Sequence, residues 1–236
     1  MKKMTRWTIG LGLALVLAGA LHTAAWAQMG PPGGPGPQAG PGAQAGPMMG
    51  CQPLWNLGFP RTLDPLTIDQ AVEATQKYLT FAGRGNPDLV PAKVIDFTNH
   101  FQVTVKEQST GANAFNVVID KLATGAVCWE PGANVLWNTK YHPGQGPGPM
   151  HGPPFGPAPT TQMTVTAERA KELAQKFLNV FLPGTTVDTE VDTFYGFYDL
   201  FVLKDGKIVG ELSVDGRLGS VWYHTWHGPF VALKKL

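Results

Sequence analysis

The side chains best suited to binding a metal ion lie in two regions of this 236-residue chain, each next to aromatic residues. Two histidines lie in residues 222–227 (Trp-Tyr-His-Thr-Trp-His). Two more histidines and a methionine follow residues 137–141 (Trp-Asn-Thr-Lys-Tyr). Imidazole nitrogens bind zinc and copper, and the methionine thioether favours Cu(I). The candidate ligands for copper or zinc are His142, Met150, His151, His224 and His227.

The chain must turn for the last two histidines to meet. In a continuous strand, side chains three residues apart point to opposite faces, so His224 and His227 converge only if the strand ends there. The alternative is that the aromatic residues pack at the end of the protein core and the histidines lie at its solvent-exposed edge. An exposed subset of these aromatic residues could instead bind a partner protein. They are Trp137, Tyr141, Trp222, Tyr223 and Trp226.

Motifs for other chemistry are missing from the sequence. There is no serine nucleophile elbow, His-Glu-x-x-His sequence, phosphate-binding glycine loop, haem-attachment motif or calcium loop. Charged residues make up 15% of the chain and the net charge is +1, so no broad basic surface is available for nucleic acid. The sequence therefore predicts a protein that is not an enzyme and does not bind nucleic acid.

The first residues have the pattern of a secretory signal peptide. Lys2, Lys3 and Arg6 precede an apolar run over residues 9–21, and Ala-Trp-Ala ends at Ala27. An uncleaved membrane anchor is the alternative, but the run is shorter than the ~20 residues of a spanning helix. We expect cleavage after Ala27, a periplasmic or extracellular product, and no stable membrane insertion after cleavage.

Two cysteines, Cys51 and Cys128, remain after that cleavage. An even number of cysteines in an oxidising compartment favours one structural disulfide. A redox couple or a pair of soft metal ligands is the functional alternative, but the wide separation lacks the Cys-x-x-Cys spacing of either. Free thiols are the remaining possibility.

Glycine and proline divide the exported chain into segments. Residues 28–51 and 143–159 are rich in both, with twelve glycines or prolines among the seventeen residues of the second segment. Such segments have too few apolar side chains to offset the entropy of ordering, so we expect a disordered spacer and a mobile linker. Two globular stretches remain, 52–142 and 160–236.

The two stretches are similar in sequence. Residues 66–79 and 165–178 share six identical residues at the same spacing, and each segment has the apolar periodicity of a helix. Thr67 can cap the first helix in a capping box with Gln70, and Thr166 can cap the second. The chain is thus predicted to be a tandem repeat.

After each helix the apolar period changes to two, which is typical of strands. The expected strands are 93–97, 101–107, 115–120 and 126–129 in the first copy, and 187–194, 197–204, 207–214 and 220–226 in the second. A helix laid across an antiparallel sheet buries one face of both. We therefore predict an α+β fold of two tandem small domains, each with one helix on a three- to four-stranded antiparallel sheet, joined by the linker.

Residues 214–221 (Val-Asp-Gly-Arg-Leu-Gly-Ser-Val) resemble the hallmark turn of the PepSY family, and residues 119–127 (Ile-Asp-Lys-Leu-Ala-Thr-Gly-Ala-Val) repeat it with one extra turn residue. The resemblance implies exported, non-catalytic modules that are found beside secreted peptidases or as free periplasmic proteins. It also implies that the aspartate and glycine of the motif form the turn.

These observations together predict an exported, non-catalytic binding or regulatory protein built from two PepSY-like modules. Its expected partner is a protein such as a peptidase or an envelope component. The alternative function is periplasmic binding of copper or zinc through the His-, Met- and Trp-rich ends of the repeats.

Overall fold

The computed structural model describes residues 51–82, 86–122, 124–141 and 160–236. The expected signal peptide, residues 28–50 of the spacer and the linker 143–159 lie outside them. All the described residues belong to one compact unit, 45–236. Within this part of the chain, no helix combines the length and apolar character needed to cross a bilayer.

Both repeats run from a helix into antiparallel strands. The first contains β1 (Gln52–Pro53), α1 (Ile68–Ala82), β2 (Leu89–Phe97), β3 (His100–Glu107), β4 (Asn113–Asp120), β5 (Ala126–Trp129) and the short α2 (Ala133–Leu136). The second contains α3 (Ala167–Phe181), β6 (Thr186–Val187), β7 (Asp192–Thr193), β8 (Phe197–Lys204), β9 (Lys207–Asp215), β10 (Val221–Tyr223) and β11 (Phe230–Lys235).

The two long helices begin as the sequence predicts. The Gln70 N–H donates to the Thr67 hydroxyl (3.2 Å) and the Thr67 N–H donates to the Gln70 side chain (2.8 Å), which completes a capping box. The Arg169 N–H donates to the Thr166 hydroxyl at 3.2 Å. These bonds satisfy backbone donors that the first helical turn leaves free.

Each helix covers one face of its own sheet. The alternation of side chains along a strand sends every second residue toward the helix. In the first repeat these residues include Phe101, Val103 and Val105 of β3, packed against α1. In the second they include Leu212 and Val214 of β9, packed against α3.

The other faces of the two sheets pack against each other. Ile95 and Phe97 of β2 meet Phe201 of β8 in an apolar cluster. A second apolar cluster joins Phe194 and Phe197 to Ala133. The seam also buries polar side chains, which include Gln102, Thr104, Asn116, Asp199, Glu211 and Ser213. The layers therefore run helix, sheet, sheet, helix.

The predicted α+β class is confirmed, but two separate domains are not. The first sheet has six strands in the order β1-β5-β4-β3-β2-β11, so the last strand of the second repeat completes the sheet of the first. The second sheet has β10-β9-β8-β6, with β7 also paired to β8. Strand periodicity does not show which sheet a strand joins. The sequence therefore predicts sheets of three to four strands, which are smaller than those in the structure.

The single strand expected over 187–194 is also divided. Its ends form β6 and β7, while the Asp188 N–H donates to the Phe201 carbonyl and the Asp188 side chain accepts from the Glu190 N–H at 3.4 Å. A side chain that binds nearby backbone in this way competes with strand pairing.

The predicted disulfide is confirmed. Cys51 and Cys128 are bonded, which ties the residue before β1 to β5. Asp120 and Asp215 also form turns, because their carboxylates accept the backbone N–H groups of Ala126 and Arg217, each at 2.8 Å.

Candidate metal centre

Strand alternation places Glu211 in the seam between the sheets. Its neighbours Gly210 and Leu212 face the other way, and Leu212 belongs to the core under α3. Ser213, two residues on, shares the face of Glu211 and is fully buried. The middle of β9 therefore directs a carboxylate and a hydroxyl into the seam between the sheets.

The two histidines converge because β10 ends at Tyr223. The His224 N–H donates to the Glu211 carbonyl at 3.0 Å, which holds the start of the following turn against β9. Asn99, between β2 and β3, holds the rest of the turn, since its amide donates to the Trp226 carbonyl (2.9 Å) and accepts from the Gly228 N–H (2.8 Å). This is the turn that the sequence required for His224 and His227 to meet.

The first repeat contributes Glu130, the residue after β5. Its backbone N–H donates to the Asn116 carbonyl at 3.1 Å, so it is fixed to β4. The side chains of Glu130, Glu211 and His224 are each 2% exposed and that of His227 is 1% exposed. Four groups with metal-binding atoms are thus buried together, and they come from both repeats.

Five of the six separations between the donor atoms lie near the edge of a tetrahedral site, and the sixth, between the two carboxylates, is under 4.8 Å. The His227 Nε2 atom lies 3.1 Å from His224 Nδ1, 3.2 Å from Glu211 Oε2 and 3.4 Å from Glu130 Oε1. The His224 Nδ1 atom lies 3.6 Å from Glu211 Oε2 and 3.8 Å from Glu130 Oε1. A tetrahedron with the 2.0–2.1 Å bonds of zinc has edges of about 3.3–3.4 Å.

The outer nitrogen of each imidazole has its own partner. The His227 Nδ1 atom lies 2.9 Å from Nε2 of His100, and the His224 Nε2 atom lies 2.7 Å from the Ser213 hydroxyl. That hydroxyl also donates to Asp199 at 2.5 Å. Such contacts orient metal-binding imidazoles and leave the inner nitrogens to face the ion.

Glu130 is held by three donors. The Gln102 amide donates to both of its oxygens (3.0 and 3.1 Å), the Asn116 amide donates at 2.9 Å, and the indole N–H of Trp226 lies 3.4 Å away. The Trp226 ring also stacks on the His224 ring, with 4.5 Å between centroids. The indole is therefore placed to report on the centre.

Polar atoms without a partner are concentrated here. In the described part of the chain, the buried side-chain oxygens or nitrogens that make no hydrogen bond are Gln102 Oε1, Asn116 Oδ1 and Glu211 Oε2. Buried polar groups are nearly always satisfied, so each exception needs a physical reason. A positive charge beside Glu211, either a protonated imidazole or a metal ion, supplies one for the oxygen that faces both imidazoles.

The charges in the cluster shift the pKa values of two of its members, His227 and Glu211. Burial alone would lower the pKa of His227, but the nearby carboxylates of Glu130 and Glu211, 3.4 and 3.2 Å from its Nε2 atom, raise it to about 9. Burial would raise the pKa of Glu211, and the two imidazoles lower it below its ordinary value. These carboxylates therefore demand a nearby positive charge.

The pKa values of two neighbours, Asp199 and His100, shift in the directions opposite to those of Glu211 and His227. Burial, together with the charges of Glu211 and Glu130, raises the pKa of Asp199 well above its ordinary value. Burial and the charge of His227 lower the pKa of His100 to about 4, which favours a neutral ring. A neutral His100 can accept a hydrogen bond from the Nδ1–H of His227.

Two imidazole nitrogens and two carboxylate oxygens suit a divalent transition metal. Zinc accepts this donor set, whereas Cu(I) prefers thiolates and thioethers. The thioether expected from Met150, and the imidazoles of His142 and His151, lie outside the described residues. Of the ligands that the sequence suggested, the structure brings together His224 and His227.

The two glutamates were missed by the sequence analysis. The available signal was a lone acidic residue in the strand Val-Gly-Glu-Leu-Ser-Val and another directly after a strand, but such residues normally face water. The two glutamates are buried because the two sheets pack against each other, and strand patterns do not reveal that packing.

The aromatic residues proposed for partner binding are mostly half-buried. Trp222 is 37% exposed, while Trp137, Tyr141, Tyr223 and Trp226 are half-buried. Trp137 packs edge-on against Trp222, and Tyr141 packs against Phe115. Most of this aromatic surface is used inside the protein.

Comparison of the chain with known protein families, with curated proteins and with solved structures found no match. The resemblance to the PepSY family stays a prediction that rests on the turn motifs alone.

Proposed function

We propose that this protein is an exported metal-binding protein that holds one divalent ion, zinc above all, between its two repeats. The ligands are Glu130, Glu211, His224 and His227. The observation that carries the proposal is the set of five donor-to-donor distances between 3.1 and 3.8 Å, which spans the edge of a zinc tetrahedron. The disulfide supports an oxidising compartment outside the cytosol.

The site favours binding over catalysis. Four protein ligands complete the coordination of zinc, and catalytic zinc sites keep one position for water or substrate. The ligand side chains are at most 2% exposed, so a substrate has no direct access to the ion. This agrees with the absence of a hydrolase motif from the sequence.

Spectroscopy with cobalt tests the geometry. The chain from residue 28 to 236 is stripped of metal and titrated with Co²⁺, followed by competition with Zn²⁺. We expect saturation at one ion per chain and the intense visible absorption that tetrahedral Co²⁺ gives. Zinc should abolish this absorption. Weak absorption typical of six-coordinate Co²⁺ would contradict the proposed ligand set.

Matched variants test the ligands. Glu211→Gln keeps the size of the side chain but removes its charge, so it should abolish tight zinc binding. Glu172→Gln is the control, because its side chain is 61% exposed and belongs to α3. His142→Ala combined with His151→Ala separates the linker histidines from the buried cluster. If that pair abolishes binding and Glu211→Gln does not, the centre lies elsewhere.

The expectation of a protein partner, such as a peptidase or an envelope component, stays a prediction. The helix-sheet-sheet-helix layering leaves the outer faces of α1 and α3 uncovered within the described residues, with Phe81 and Phe181 60% and 66% exposed. Retention of one defined protein from an envelope extract by the wild-type chain, and loss of it on Phe81→Ser with Phe181→Ser, is the expected result. Equal retention by both proteins would exclude these residues from the contact.

A further inference from the structure

The last strand connects the metal centre to the sheet of the first repeat. Strand β11 pairs with β2 through registers that run from Phe230 opposite Phe97 to Lys235 opposite Lys93. The segment just before it carries His227, three residues ahead of Phe230. One short stretch of chain therefore holds both a metal ligand and a strand that crosses between repeats.

This segment is fitted tightly to the first repeat. The His227 ring stacks on Phe97 of β2, with 4.1 Å between centroids and 11° between planes. A side chain at Gly228 would place its Cβ 2.4 Å from the Thr98 hydroxyl and 2.7 Å from the Asn99 side-chain oxygen, so a larger residue there would force these side chains to shift. The segment cannot leave the first sheet without moving His227.

The other three ligands are attached to elements other than β11. Glu130 follows β5 in the first sheet, while Glu211 is in β9 and His224 directly follows β10 in the second. If β11 and its leading segment detached, His227 would separate from the remaining ligands. Detachment therefore has to break the metal centre.

Contacts of β11 itself are modest. Val231 is 54% exposed, and the two lysine pairs at the end of the strand, Lys234 with Asp69 and Lys235 with Glu190, are largely exposed. Exposed ion pairs contribute little to stability. Only Phe230 and Leu233 pack into the seam, and both are partly buried. The side-chain contacts of β11 are therefore weak, and a bound ion would add to the backbone pairing with β2 that holds this strand.

We propose that the bound metal ion locks β11 onto the sheet of the first repeat, so that metal occupancy controls docking of the C-terminal strand. The inference rests on the proposed function. The size of the effect follows from mass action. The population of any opened state that lacks the site decreases by a factor of one plus the ratio of free metal to the dissociation constant. At zinc one hundred times that constant, opening of β11 becomes about 100-fold rarer.

Amide hydrogen exchange measures this opening. The chain 28–236 is compared without metal and with zinc at about one hundred times its dissociation constant, and peptides covering β11 and β2 are followed. We expect exchange in both strands to slow by about 100-fold, while the frayed ends of α1 and α3 keep their rates. Glu211→Gln, which lies outside β11, should show no zinc effect.

The outcomes separate the two proposals. If cobalt and zinc fail to bind, the proposed function falls, and the lock falls with it. If zinc binds at one ion per chain and exchange in β11 is unchanged, the metal centre stands and the lock is wrong. Exchange in β11 of the metal-free protein that is no faster than in the central strands β3 and β8 would also overturn it, because β11 would then open only when the whole molecule unfolds.

Discussion

Two buried glutamates join the repeats of this protein, and they are satisfied in different ways. Glu107, at the end of β3, is 1% exposed and accepts hydrogen bonds from the Lys140 ammonium and the Tyr141 hydroxyl. The hydroxyls of Thr110 (2.6 Å) and Tyr195 (2.9 Å) complete its shell. Every donor comes from the chain, including a full positive charge.

Glu211 has no such shell. Its Oε2 atom makes no hydrogen bond, and its neighbours are two imidazoles and a second carboxylate. An imidazole can offer either a proton or a lone pair, so this cluster can exchange a proton for a metal ion, whereas the ammonium at Glu107 cannot leave. The difference shows how a buried carboxylate serves as a structural ion pair in one place and as a candidate ligand in the other.

The largest expected effect is that of metal on stability. With zinc at about 1,000 times its dissociation constant, the free energy of unfolding should rise by about 4 kcal/mol, as mass action requires. Urea denaturation with chelator and with zinc measures the difference. Glu211→Gln should give the same curve in both conditions. A zinc effect retained in that variant would remove Glu211 from the ligand set.

The second effect should be independent of metal. Glu107→Gln leaves the Lys140 ammonium, whose side chain is 35% exposed, beside a neutral amide, and the loss of hydrogen bonds to a charged group costs about 2 kcal/mol. The free energy of unfolding should fall by that amount both with and without zinc, and the zinc affinity should not change. A fall that appears only in the zinc-loaded protein would show that the two clusters act as one.

The pH dependence of the folding stability also distinguishes the two clusters. Burial would raise the pKa of Glu107, but the hydrogen bonds from Lys140, Thr110, Tyr141 and Tyr195 outweigh it and lower the pKa from 4.5 to about 2. The folded state thus keeps this charge at a pH where the unfolded chain is protonated. Its contribution is complete above about pH 4.5 and decreases as the pH falls toward 2.

That contribution can be isolated by difference. Between pH 6 and pH 3, metal-free wild type should lose about 2 kcal/mol more stability than Glu107→Gln, because the variant has no carboxylate at this position. Other acidic groups titrate equally in both proteins and cancel. Parallel losses in the two proteins would mean that Glu107 is protonated normally.

Local features of the fold were predictable from the sequence, and the inter-repeat features were not. Helical periodicity with Thr67 and Thr166 as caps predicts α1 and α3, because those signals act within a few residues. Alternation predicts that Glu211 and Ser213 share one face of β9. It does not tell whether that face meets water or another sheet, since both give the same polar pattern.

The candidate site depends on this missing information. The sequence indicates His224 and His227 because their types and spacing are unusual, and the turn after β10 is the condition it sets. Glu130 reaches them only because the first sheet docks on the second, with β11 crossing between them. A contact between residues 94 positions apart, such as Glu130 and His224, follows from tertiary packing alone.

The smallest effects test the outer contacts of each cluster as a matched pair of hydroxyl deletions. Ser213→Ala removes the hydroxyl next to His224 Nε2, so the imidazole loses its orienting partner and the zinc dissociation constant should rise by about tenfold. Thr110→Val removes one donor from Glu107, so the free energy of unfolding should fall by about 1 kcal/mol while the zinc dissociation constant stays the same. Chelator competition and urea denaturation of both variants check the pair. Equal changes in zinc affinity would mean that the hydroxyls act through overall stability, and the contrast between the two glutamates would then lose its chemical basis.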